Sequence, residues 1–113
     1  MSSLSEDKLS EIVIDFGHMR NPELKEGFLE SFGFMVKSIL KRIFGGSAPN
    51  LSVRGRPVEV DAFAKAIKSE TNYLAMLRDY GLDDPRSYRN KAKLKSSVKN
   101  FERKTGVKWP FEV

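Results

Sequence analysis

The residues of this chain best suited to chemistry are cationic, and they crowd its C-terminal quarter. Arg86, Arg89, Lys93, Lys95, Lys99 and Arg103 fall within one stretch, PRSYRNKAKLKSSVKNFERKT, with Ser87 and Asn90 near its start. Guanidinium and ammonium groups donate hydrogen bonds and accept none, so their natural partner is an anionic oxygen such as a phosphate's. Asn and Ser side chains add contacts to phosphates or base edges. Residues 85–113 carry nine bases and two acids, whereas residues 57–84 carry three bases and six acids. A segregated basic block is an electrostatic footprint for DNA or RNA, or a face that meets an acidic protein partner or the acidic blocks of the same chain.

Catalytic chemistry finds little footing. His18 is the only histidine and has Asp15 three residues before it, an arrangement that reads more simply as a surface or linker pair than as a general base and its orienter. One histidine and no cysteine exclude a zinc site of the usual donors. Asp83 and Asp84 could be taken for metal ligands, but Asp84 before Pro85 is explained by helix capping. Gly45-Gly46-Ser47 lacks the Lys-Ser/Thr pair of a phosphate loop and follows a helical pattern, so it reads as a helix stop. The expectation is a non-enzymatic protein with no cofactor and no metal.

The basic stretch needs a scaffold, and Asn21–Gly46 is the one segment with a broad enough apolar face. Asn21 and Pro22 give it a start, and Gly45 and Gly46 a stop. Leu24, Phe28, Phe32, Met35, Val36, Ile39 and Ile43 recur at helical spacing, widened by Leu29 and Leu40. Phe34 falls on the opposite, polar side. Upstream, residues 1–20 read as a short helix started by Ser3 or Ser5, with Leu9, Ile12, Val13 and Phe16 on one face. The alternative is a strand over EIVIDF, whose Ile12, Val13 and Ile14 are all β-branched.

Downstream, GGSAPNLSVRGRP is a connection in which LSVRG forms a short strand that needs a partner. The tail VKWPF or a second copy of the chain would supply one. Residues 57–80 form one helix or two, with Ser69–Asn72 as the weak point. Asp84-Pro85 opens the last helix and Gly106 closes it, on a thin apolar face of Leu94, Val98 and Phe101, with Tyr88 at its margin. Trp109 and Phe111 flank Pro110 in a tail that folds back on the core.

The fold expected is therefore mainly α: one domain over residues 1–113, a small bundle of four to five helices. Residues 1–4 would be frayed, the long central helix would span about 22–44 and the basic helix about 85–105. One short β pairing would join about 51–54 to 107–111. Residues 71–94, a helix, a glycine-containing turn and a second helix, have the outline of a helix-turn-helix.

Three functions follow from these features. The first is nucleic-acid binding through the basic helix by the residues named above. The second is a structural or interaction subunit, a homo-oligomer or accessory protein, that meets its partner through Phe34 and Trp109. The third is peripheral membrane association by residues 27–44. No apolar run is long enough for a membrane span, and the lack of cysteine fits a reducing, cytoplasmic setting. The run YGLDDPRSYRNKAKL…NFERKTGVKWPF resembles small bacteriophage accessory proteins, without a motif that carries over any functional residue.

Overall fold

The β-branched run near the N-terminus makes a strand, not a helix. The computed structural model describes residues 11–19, 25–47 and 50–113. In it β1 (Ile12–Asp15) pairs in parallel with β2 (Leu51–Arg54), with Ile12 opposite Leu51 and Ile14 opposite Val53. The helix expected over residues 1–20 is thus replaced from residue 12 onward by a strand and a single helical turn, Phe16–Met19. Its proposed starts at Ser3 and Ser5, and Leu9, lie outside the described residues. Three stiff β-branched side chains in succession suit a pleated surface better than a helix. Alternation then puts Ile14 inward, fully buried, while Val13 is 44% exposed.

Three helices of more than one turn complete the described fold: α1 (Lys25–Phe44), α2 (Pro57–Tyr80) and α3 (Pro85–Thr105). Among the described residues the chain is mainly helical, with three such helices and not the four to five expected. α1 is the crossover that a parallel strand pair requires. Its expected cap Asn21, and Pro22 and Leu24, lie outside the described residues. At its other end Ser47 N–H donates to Arg42 O at 2.9 Å, and Gly46 takes φ +82°, the left-handed stop that its sequence announces.

Residues 57–80 are one continuous helix. The polar residues at its weak point find partners that leave the ladder intact: Thr71 Oγ1 donates to Ile67 O at 2.8 Å, and Ser69 Oγ lies 2.7 Å from Ser97 Oγ. At its start the Glu59 carboxylate, fully buried, accepts the Arg56 backbone N–H at 2.8 Å and the Arg56 guanidinium at 3.2 Å. A β-carbon on Gly55 would stand 3.0 Å from Glu59 Oε1 and 3.1 Å from Phe16 Cβ, and its φ of +155° is one that side chains rarely adopt, so any other residue is strained in this turn.

The tail does not pair with β2. Val107 N–H donates to Thr105 Oγ1 at 3.0 Å and Trp109 N–H to the Glu102 carboxylate at 2.9 Å, so these amides are spent on the end of α3. The tail packs inward instead, and Trp109 is 3% exposed. Five segments each send one ring to the centre: Phe16 from beyond β1, Phe32 from α1, Phe63 from α2, Phe101 from α3 and Trp109 from the tail. Phe32 and Phe101 stack at 5.8 Å, and Phe16 meets Phe32, Phe63 and Phe101 edge-on at 5.6–6.2 Å. Each such pair adds about 0.5–1.5 kcal/mol beyond the area it buries. Val36, Ile39, Leu94 and Val98 fill the space around them.

Candidate nucleic-acid interface

α3 owes its start to Asp84, whose Oδ1 accepts the Arg86 N–H at 2.8 Å, and to Pro85 in the first helical position. It ends at Gly106, left-handed at φ +72°. Between these caps Ser87, Leu94, Val98, Phe101 and Thr105 are buried at three-, four- and seven-residue spacing. The remaining circumference is left to cations. Arg86, Arg89, Lys93, Lys95, Lys99 and Arg103 are all exposed, and Asn90 is half-buried. The helix holds eight bases and one acid, Glu102, whose carboxylate is already bonded to the Trp109 N–H.

The tip of the α2–α3 hairpin differs from the rest. Asp84 takes Arg86 in a two-pronged bridge, Nε to Oδ1 at 2.9 Å and the terminal nitrogen to Oδ2 at 3.0 Å. The same guanidinium lies 3.4 Å above the Tyr80 ring. The hydrogen bonds from Arg86 hold the Asp84 carboxyl at about 2, so the pair stays ionised until the solution is strongly acidic. Its contribution is present above the ordinary carboxylate range and is lost as pH falls through about 2. Asn90 Nδ2 donates to Arg86 O at 2.8 Å, and Ser87 Oγ, 1% exposed, donates to Gly81 O at 2.6 Å. Ser87 is therefore unavailable to a ligand, and Arg86 and Asn90 are already engaged.

The free cations lie farther along. Arg89, Lys93, Lys95 and Lys99 make no ion pair among the described residues, and Arg103 bonds only Asn100, at 3.2 Å. Two neighbours that the basic stretch does not contain join them. Lys65, from α2, borders a shallow cleft with Lys99, Asn100 and Arg103, and is paired to Asp61 at 3.1 Å. Lys108, from the tail, borders a groove with Lys95 and Lys99. Charge counting along the sequence registers both lysines, but only the fold shows which helix face they reach.

The helix-turn-helix outline does not survive folding. Ser69 meets Ser97, the Arg56 guanidinium reaches Lys104 O at 3.4 Å, and Gly81 O receives Ser87 Oγ. These contacts make α2 and α3 an antiparallel hairpin along their full length. A helix-turn-helix crosses at roughly 90–120°. The long match of apolar faces (Phe63 against Phe101, with Ala62, Ala66, Leu94 and Val98 in the same core) wins over the short turn.

Of the two residues expected at a partner contact, Phe34 is 73% exposed on α1 and Trp109 is in the core. Trp109 Nε1 donates to Glu70 Oε1 at 2.9 Å, which gives the indole a structural task. The structure does not bring the two together as a surface. No protein-family model, curated protein or solved structure matches the chain.

Proposed function

We propose that this protein is a non-enzymatic, cytoplasmic nucleic-acid-binding protein that holds phosphates along the outer face of α3. One observation carries the reading: α3 holds eight bases against one acid, and its one ion pair among the described residues is Arg86–Asp84, so its exposed face carries a large excess of positive charge. Such an excess repels itself in the free protein and is relieved by a polyanion. Arg89, Lys93, Lys95, Lys99 and Arg103 make the contacts, while Arg86 and Asn90 serve the hairpin tip.

Titration of labelled single-stranded and duplex DNA and RNA at two salt concentrations tests this. Affinity is expected to fall steeply with salt, the logarithmic slope losing about 0.7–0.9 for each phosphate contact removed. The triple variant Lys95→Gln, Lys99→Gln, Arg103→Gln should lower that slope by about 2–3 and weaken binding to every sequence. No measurable binding at low salt would end the reading.

A second reading, a structural or interaction subunit, is favoured by the exposure of Phe34 at 73%, Leu82 at 68% and Tyr88 at 61%. Light scattering tests its self-association form, since a strict monomer over a wide concentration range counts against it. Membrane association by residues 27–44 loses support because Phe32, Val36, Ile39 and Leu40 spend the apolar face of α1 in the core. No described helix is long and apolar enough to cross a membrane.

A further inference from the structure

The groove between α3 and the tail contains something that phosphate contacts alone leave without a purpose. Lys95, Lys99 and Lys108 border it, all exposed, and Val98, Pro110 and Phe111 form its apolar side. The Phe111 ring is half-buried and meets Trp109 edge-on at 6.4 Å, so it is supported from within while part of it faces solvent. Two acids also border the groove. Glu102 is bonded to the Trp109 N–H, and Glu112 is exposed.

A supported ring beside unpaired lysines matches one class of polyanion better than the others. A duplex offers its phosphates but hides its base faces in the stack, so the ring would gain nothing. A single strand offers a row of phosphates together with flat, apolar base faces. An acidic peptide would satisfy the lysines without calling for a planar platform. The spacing agrees: Lys95 and Lys99, both on the groove, stand four residues apart on α3, a rise of about 6 Å. That is close to the phosphate step of an extended strand.

We propose that this groove is a single-stranded nucleic-acid site, in which a base stacks on Phe111 while neighbouring phosphates meet Lys95, Lys99 and Lys108. The proposal rests on the phosphate-binding reading of α3 and adds the form of nucleic acid that it takes.

The experiment is fluorescence anisotropy of a labelled oligothymidylate and of a duplex of equal length. The wild-type protein is compared with Phe111→Leu, Lys108→Gln and, as a charge control on α1, Lys37→Gln. Thermal melts accompany each variant. The wild type should prefer the single strand. Phe111→Leu should weaken single-strand binding about tenfold, the scale of one lost base–aromatic stack, and leave duplex binding unchanged. Lys108→Gln should weaken single-strand binding and lower its salt slope, while Lys37→Gln should do neither. If Phe111→Leu melts early, Lys108→Gln and the strand preference decide the outcome. Equal affinity for both forms, with Phe111→Leu and Lys108→Gln neutral, overturns the groove and leaves the phosphate reading standing. No binding of either form at low salt removes both. Competition by polyglutamate as effective as that by oligothymidylate, charge for charge, would overturn the single strand in favour of an acidic peptide.

Discussion

Replacing Phe101 with alanine should remove about 3–5 kcal/mol of stability, enough to bring a domain of this size close to unfolding. Phe101 is fully buried, and its ring lies 5.7 Å from Phe16, 5.8 Å from Phe32, 6.0 Å from Phe63 and 5.2 Å from Trp109. Those four rings arrive on four different segments. Collapse into the vacated space would have to move several backbones at once, so most of the cavity should persist. Urea unfolding followed by circular dichroism measures the loss. A loss below about 1.5 kcal/mol, the range of volume-conserving changes, would show that the cluster repacks freely and is not the common anchor described above.

The second large effect is expected at Trp109. Changing it to phenylalanine keeps a ring in the core but removes the indole N–H from Glu70, whose residue is only 4% exposed. Burial pushes the Glu70 carboxyl above its ordinary value, and the indole hydrogen bond partly opposes that rise. The sign follows. A carboxyl raised on folding contributes most stability below its unfolded value of 4.5, and that contribution is lost as pH rises through the folded value. At neutral pH Trp109→Phe leaves a buried carboxylate short of a donor, at a cost of about 1–3 kcal/mol. In acid the neutral carboxyl needs that donor less, so the cost should shrink. Glu70→Gln should do the opposite: it keeps an oxygen for the indole, removes the buried charge, and should raise neutral-pH stability while flattening its pH dependence. Urea unfolding in acid and at neutral pH checks both variants. A Trp109→Phe cost that does not change with pH would reject the Glu70 contact as its origin.

Helix boundaries were legible where the chain states them in chemistry. Asp84-Pro85, Gly106 and Gly45-Gly46 behave as their residue types require, and the thin apolar face of α3 at Leu94, Val98 and Phe101 is buried as its spacing indicates. Pairing was less legible. Leu51–Arg54 reads as a strand in search of a partner, but the partner depends on where the tail's amides go. That was decided by Thr105 and Glu102, which accept Val107 and Trp109 N–H. Ile12–Asp15 is ambiguous on its own because four residues can satisfy either period. The candidate interface was visible as a charge run, but its internal divisions were not. That Arg86 is bridged to Asp84 and stacked on Tyr80, or that Ser87 is buried, follows from a hairpin geometry that the sequence does not spell out.

The parallel pairing of β1 with β2 also constrains how the chain can assemble. The α2–α3 hairpin can zip up from its turn, where Ser87 meets Gly81, so that each further contact closes little additional chain. β1 reaches β2 only after all of the intervening chain, including α1, has been brought back on itself, and long closures carry a larger entropic cost. The C-terminal hairpin, which holds the basic helix, is thus the part able to form first. Phe16, carried just beyond β1, is the ring that enters the cluster when that long loop closes.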